Sequence, residues 1–241
     1  MAIRVERLTS EISVILLLSI SLVLFKTTFE TAIGTEIATI YYGMLIFVGF
    51  TYFARNQGII TTEYKPISGN SGKSLLWAGG AIIAFTALYS IMNTLFRQSV
   101  LPVTATNEQL SQSVFQSAFS GLVKFSAVDF STLTPVKYYL FGFTIPLVET
   151  LTLGALFAWL IWVLNLSWDI KSPRVHALII ILSVLFMYFH LKVRGINNNL
   201  DLAMTLIFAY LSLVIIVILK ESESANEFHV GTNTLALFYG R

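Results

Sequence analysis

Four polar side chains lie inside stretches of the chain that are otherwise almost wholly apolar. Glu149 lies near the middle of one stretch, three residues after Pro146, and His190 closes the next. His229 and Asn233 share a short final stretch. If these stretches lie in a bilayer, an ionisable group at mid-depth costs about 2.5–3.5 kcal/mol on insertion scales, so Glu149, His190 and His229 are candidate functional residues.

The spacing of these residues places them on shared helix faces. His229 and Asn233 are four positions apart, and so are Phe186 and His190, and residues at this spacing are neighbours on a helix surface. A carboxylate, two imidazoles and an amide from different helices could converge in one pocket, as in many helix bundles. Such a set suits hydrolysis, because the carboxylate can take a proton from water while the other groups bind an oxyanion or a metal.

Each residue also has an interpretation without catalysis. Glu149 could simply hydrogen-bond a neighbouring helix. His190 comes shortly before Lys192 and Arg194 and could mark the membrane interface, and His229 follows an acidic stretch and could lie at the surface. The hydrolytic prediction therefore depends on the combination of residues and not on any one of them.

The composition predicts an integral membrane protein. Of the 241 residues, 56% are hydrophobic and only 12% are charged, whereas soluble domains carry roughly a quarter charged residues. The net charge of +2 and the lack of a basic arm argue against nucleic-acid binding. Because the chain has no cysteine, disulfides and thiolate metal sites are excluded.

About six or seven helices are predicted to enter the bilayer, where a spanning helix needs roughly 20 apolar residues. Continuous apolar runs without strand alternation exclude a barrel, so the predicted class is an all-α polytopic transmembrane helix bundle, with the first helix retained and not cleaved as a signal peptide. The last segment is short and is expected to be sheltered by protein. The predicted segments are Ser10–Phe25, Thr31–Ala54, Leu75–Phe96, Tyr138–Leu166, Val175–Leu191, Leu200–Leu219 and Asn226–Tyr239.

The chain is predicted to form one membrane domain in three parts. Residues 1–97 form an N-terminal three-helix part, and residues 138–241 form a four-helix part that carries the candidate site. Residues 98–137 form a long loop in which apolar residues at helical spacing between Leu110 and Val123 predict an interfacial amphipathic helix. Basic residues before the first helix and between the second and third favour a cytoplasmic N-terminus.

The order of the polar residues resembles that of the CAAX-protease and bacteriocin-processing family of intramembrane proteases, the CPBP or Abi family. That family carries Glu-Glu-x-x-x-Arg, then Phe-x-x-x-His, then His-x-x-x-Asn on successive helices. Phe186 and His190 match the second motif, and His229 and Asn233 match the third. Glu149 stands where the first Glu of the first motif belongs. The resemblance covers the chain from Tyr138 onward.

The first motif departs from the family pattern at two positions. Thr150 stands where the second Glu is expected, and Gly154 where the Arg is expected. That pair is thought to brace the site, so an inactive family member is one alternative.

The resemblance implies a peptide-bond hydrolase acting on a membrane-associated peptide or protein. Glu149 would activate water, His190 would support that water or bind a metal, and His229 with Asn233 would stabilise the oxyanion. Family members have been described both as metal-free glutamate proteases and as metalloproteases. If a metal is used, the resemblance implies zinc bound by His190, His229 and Glu149 with a position open for water.

Two other functions are compatible with the sequence. A non-enzymatic subunit of a larger membrane complex would fit the scarcity of charged loops, and it predicts partner membrane subunits on large apolar faces. A small transporter would need a polar pathway or inverted repeats, and neither is visible. An enclosed site around Glu149 would distinguish the hydrolase from both.

Overall fold

The computed structural model describes residues 2–66, 71–97, 134–194 and 199–239, and these residues are almost entirely helical. The described helices, in chain order, are α1 (Ala2–Leu24), α2 (Lys26–Ile33), α3 (Thr35–Asn56), α4 (Ser71–Arg97), α5 (Pro135–Tyr138), a π-helical stretch (Tyr139–Thr144), α6 (Ile145–Val163), α7 (Pro173–Arg194), α8 (Asn199–Leu219) and α9 (Glu223–Tyr239). The predicted amphipathic helix lies outside the described residues.

The prediction of an all-α polytopic bundle is confirmed. Five described helical stretches are long and apolar enough to cross a membrane, and α1 with α2 adds a sixth if this bent pair is one span. Helix α9 is not among these spans. None of its residues 223–235 is exposed, and the helix packs on α4, α6, α8 and the π-helical stretch. This packing agrees with the prediction that the last helix is sheltered by protein.

The chain bends where the first predicted segment, Ser10–Phe25, ends, and a short extra helix precedes the second spanning helix. The chain bends by 75° between the parts on either side of Phe25, and α2 then runs from Lys26 to Ile33. Gly34 joins α2 to α3 with a φ of +86°, a backbone conformation that glycine adopts without the steric cost of a Cβ. The bend and this glycine allow α3 to pack against both α1 and α2.

Helix α6 forms the centre of the bundle. In the most apolar 18-residue stretch of the span Pro135–Val163, 72% of the residues are buried. The corresponding share for the span in α4 is 17%. Helix α6 packs on α3 and α9 and also touches α7 and α8. A helix that is apolar on every side is expected to be enclosed by others, and this placement puts Glu149 inside protein and away from lipid.

The π-helical stretch before α6 is stabilised by a side chain from α9. In the i→i+5 register of a π-helix, the carbonyl of Phe141 would accept from the N–H of residue 146, but Pro146 has no N–H. The Asn233 amide Nδ2 donates to that carbonyl at 3.3 Å instead. Asn233 therefore replaces a backbone donor that proline removes.

Helix α6 ends three residues earlier than the predicted segment because of a local hydrogen-bonded cap. Asn165 has a φ of +49°, and its N–H donates to Trp162 at 3.1 Å while Leu166 donates to Ile161 at 2.9 Å. This pair of bonds is the Schellman arrangement, in which asparagine can replace the usual glycine.

The connection after α3 is fixed against the start of α9. The Lys65 N–H donates to the Lys220 carbonyl at 2.7 Å, and the Ser222 N–H donates to the Lys65 carbonyl at 3.3 Å. The buried ring of Tyr64 stacks on Trp168 at 5.9 Å, and its hydroxyl lies 2.6 Å from Ser222 Oγ. Tyr64 thereby fills the space beside α6 at Gly154, where an added Cβ would overlap both hydroxyl oxygens.

We expect Gly154→Ala to destabilise the protein by about 1–3 kcal/mol, the usual cost of overpacking a filled interior. Gly80→Ala is the matched control, because Gly80 is also helical and nothing lies within 4 Å of its added Cβ. Thermal unfolding in detergent micelles measures both variants. Adding Ser222→Ala to Gly154→Ala should restore part of the loss, and equal melting temperatures for both glycine variants would contradict the packing at Gly154.

Candidate active site

The Glu149 carboxylate lies at the centre of the bundle. Glu149 is the middle residue of the span Pro135–Val163, and it is only 2% exposed. The Tyr41 hydroxyl, from α3, donates a hydrogen bond to its Oε1 atom. The carboxylate is thus held from one side by the N-terminal half of the chain, with Oε2 directed to other partners.

Both predicted histidines face the other carboxylate oxygen. His190 Nε2, from α7, lies 3.6 Å from Glu149 Oε2, and His229 Nε2, from α9, lies 3.5 Å from the same atom. Both rings are buried. Three helices therefore bring the carboxylate and the two imidazoles together, as the sequence predicted for these three residues.

The tautomer of His190 follows from its second contact. Its Nδ1 atom lies 2.9 Å from the backbone carbonyl of Phe186, one turn earlier on α7. A carbonyl can only accept, so Nδ1 carries the hydrogen. In the neutral ring Nε2 is then a bare lone pair directed at Glu149.

His229 is held in the same tautomer by Thr150. The Thr150 hydroxyl donates to the Pro146 carbonyl at 2.9 Å, so its one hydrogen is used. Its oxygen lies 2.9 Å from His229 Nδ1 and must accept from an N–H there. His229 Nε2 is consequently also a bare lone pair when the ring is neutral.

When both rings are neutral, Glu149 and the two histidines form a cluster of three acceptors. The Nε2 atoms of His190 and His229 lie 3.6 and 3.5 Å from Glu149 Oε2, a separation at which lone pairs alone repel. A hydrogen-bond donor between these atoms relieves the repulsion. A water molecule can act as this donor through its two hydrogens. Water held by such acceptors becomes more nucleophilic, because its hydrogens are already directed at bases.

Aromatic rings surround the two imidazoles. Phe186 lies over His190 with ring centroids 4.1 Å apart, and Phe208 meets His229 edge-on at 4.7 Å. Phe189 approaches His190 from a further side at 5.6 Å. Apolar walls lower the local dielectric and strengthen electrostatic interactions inside the site.

Asn233 makes a contact that the sequence did not predict. It is one turn beyond His229 on α9, and the hydrogen bond described for it goes to the Phe141 carbonyl. The structure therefore gives Asn233 a bracing contact on the π-helical stretch, and its predicted role in binding an oxyanion stays a prediction.

The donor types and their separations bear on the zinc alternative. The donor types suit zinc, since bare imidazole nitrogens and a carboxylate are its common ligands. Although each Nε2 lies within 3.6 Å of Glu149, no group of three or more His, Asp or Glu side chains in the described part of the chain is placed so that it could hold a metal ion. The zinc site that the resemblance implies therefore stays a prediction.

Two partners of the site were not predicted from the sequence. Tyr41 lies 108 positions before Glu149, in a segment for which the sequence predicts only a membrane helix. In the sequence Thr150 is only a departure from the family motif, although it directly follows Glu149 and lies four residues after Pro146. No sequence pattern pairs Thr150 with His229, which lies 79 positions later.

Comparison of the chain with family models, with curated proteins and with solved structures finds no match in any of the three. The interpretation of the site therefore depends on its geometry.

We expect Thr150→Val to release the tautomer of His229 but not that of His190. Valine keeps the shape but removes the acceptor, so the buried Nδ1–H loses its partner at a cost of about 1–3 kcal/mol. Nitrogen-15 spectra of protein labelled at its three histidines distinguish Nδ1–H from Nε2–H directly. His176 is the internal reference.

Thr205→Val is the matched control for this experiment. Thr205 is equally buried, and the hydrogen bond described for its hydroxyl goes to the Asp201 carbonyl within its own helix. An unchanged His229 spectrum in Thr150→Val would show that Thr150 does not set the tautomer.

Proposed function

We propose that the chain is an intramembrane endopeptidase that hydrolyses a peptide bond of a membrane-associated substrate with water activated by Glu149. The observation that carries the proposal is the convergence of Glu149 Oε2 with the Nε2 atoms of His190 and His229 at 3.5–3.6 Å inside the bundle. This convergence also supports membership of the CPBP family, with Thr150 and Gly154 as variations on its first motif.

In the first step the cluster acts as a general base. A water molecule donates one hydrogen to Glu149 Oε2 and the other to a histidine Nε2. Its oxygen forms a bond to the carbonyl carbon of the substrate while one proton passes to Glu149. The carbonyl double bond opens to a tetrahedral intermediate that bears one negative charge on oxygen. Positioned acid–base groups of this kind accelerate reactions by about 10²–10⁴-fold.

In the second step Glu149 acts as a general acid. The intermediate collapses, the carbon–nitrogen bond breaks, and the leaving nitrogen takes the proton that Glu149 had received. One water is consumed, the products are a carboxylic acid and an amine, and Glu149 returns to its starting ionisation. Tyr41, which donates to Oε1, keeps the other oxygen aimed at the reacting atoms.

We assign the developing oxyanion to Asn233. Its Nδ2 atom carries two hydrogens, of which one is donated to Phe141, and the second is the proposed donor. Because the contact with Phe141 fixes the amide, the donor would need little reorganisation during the reaction, which is the condition for strong electrostatic stabilisation.

The burial of the polar groups supports the hydrolase over the structural subunit. A subunit without a reaction has no need to bury a carboxylate and two imidazoles, which is costly unless they are paired. The exposed apolar faces of α1, α4 and α7, with residues such as Leu24, Leu76 and Ile181, are compatible with lipid or with partner subunits and do not distinguish the two.

We expect Glu149→Gln to lower the cleavage rate of single-pass peptides in liposomes by about 100-fold or more, since the amide cannot accept a proton from water. The side chain is nearly isosteric and keeps an acceptor for Tyr41, so the melting temperature should change little. Product formation by mass spectrometry measures the rate for both proteins.

Glu221→Gln is the matched control for this variant. Glu221 is also buried, and its Oε1 accepts from Ser74 and Ser224 at 3.2 and 3.0 Å, which a glutamine oxygen can continue to do. It should keep wild-type cleavage. Equal cleavage by wild type and Glu149→Gln would remove Glu149 from the mechanism.

A further inference from the structure

A cavity of about 170 Å³ lies between α3, α6 and α7, and Glu149 forms part of its wall. Apart from Glu149 and Thr152, the lining is apolar. Leu153 and Leu182 are buried, whereas Leu185 is 54% exposed on the outer surface of α7. The cavity therefore connects the neighbourhood of the carboxylate to the side of the bundle that faces lipid.

The volume of the cavity fits one side chain. An apolar protein cavity of about 150 Å³ is known to hold a single benzene ring, so about 170 Å³ suits one Leu, Met or Phe side chain. A lipid acyl chain is far longer and would lie mostly outside. A charged side chain would lose its hydration among the leucines without gaining a partner.

The position of Glu149 selects a peptide as the occupant. Glu149 forms part of the cavity wall, and its Oε2 faces the two histidines. A substrate whose side chain enters the cavity would lie beside Glu149, the residue that the proposed function makes the general base. An acyl tail in the same place would bring no hydrolysable bond to it.

We propose that this cavity is the side-chain subsite of the enzyme, which binds one medium-sized apolar side chain of the residue next to the scissile bond and admits it sideways from the bilayer. This inference rests on the proposed function. It assigns the substrate as an apolar membrane peptide and assigns specificity to Leu182, Leu153 and Phe186, which line the pocket.

The first test compares cleavage of full-length protein in phosphatidylcholine liposomes across peptides that differ at one residue. Peptides with Leu or Phe at that residue should be cleaved about tenfold or more faster than peptides with Ala or Asp, because even one methylene in an apolar pocket discriminates about tenfold or more. Leu182→Ala enlarges the pocket and should shift the Phe-to-Leu preference toward Phe about tenfold.

Ile181→Ala is the control for this shift. Ile181 is on the same helix, is 55% exposed and does not line the cavity, so the Phe-to-Leu ratio should stay at its wild-type value. A shifted ratio in Leu182→Ala is a change of preference, which a loss of folding cannot produce. An unchanged ratio would overturn the subsite.

The second test measures, by crosslinking, whether a peptide side chain occupies the cavity, and it does not require catalysis. An apolar single-pass peptide carries a diazirine analogue of leucine at successive positions and is crosslinked to Glu149→Gln protein, and the labelled residues are mapped by mass spectrometry. Crosslinks from one or two adjacent positions to Leu182 or Phe186 support the proposal. Preferential labelling of these residues by a diazirine-bearing phospholipid would overturn it in favour of a lipid chain.

The two tests separate the subsite from the activity. If wild type cleaves, Glu149→Gln does not, and Leu182→Ala keeps the wild-type preference, the subsite is refuted and the endopeptidase stands. If no protein cleaves but the peptide crosslinks map to the cavity, the side-chain binding is supported and the hydrolytic function is refuted.

Discussion

The burial of one carboxylate constrains the architecture around it. An ion moved into an apolar interior loses several kcal/mol of hydration, so Glu149 requires partners on every side from which water is excluded. Tyr41 supplies a donor from α3, and His190 and His229 approach from α7 and α9. Four helices must therefore meet at one depth, and α6 can occupy the centre only because the others enclose it.

The sequence predicts the existence of the helices well and their breaks less well. Hydrophobic length locates α3, α4, α7 and α8 because each must be long enough to cross the same apolar slab. It does not locate the bend at Phe25, since residues on both sides of it are compatible with a helix and the bend depends on packing against α3. The end of α6 at Val163 could have been predicted, because asparagine, here Asn165, is the usual substitute for glycine at such a cap.

Some residues of the site could likewise be predicted from the sequence, and others could not. Glu149, His190 and His229 were predictable because polar residues are conspicuous among apolar ones. Tyr41 was not, because a tyrosine in a membrane helix is commonly a packing or interfacial residue and the sequence does not say which face of α3 meets α6. From the sequence, Thr150 and Gly154 are only positions where the Glu and the Arg of the family motif are absent. In the folded chain Thr150 holds the His229 ring, and Tyr64 with Ser222 fills the space beside Gly154.

The π-helical stretch at Tyr139–Thr144 also sets the direction in which Glu149 points. Each residue of an α-helix turns the chain by roughly 100°, and a π-helical turn accommodates one residue more than an α-helical turn. Loss of a single residue before Pro146 would let the stretch return to α-helical winding, and the part of the helix after it would rotate against the part before it. The orientation of Glu149 thus depends on the number of residues in a segment that contributes no reacting group. A one-residue deletion there would disturb the site more than most substitutions would.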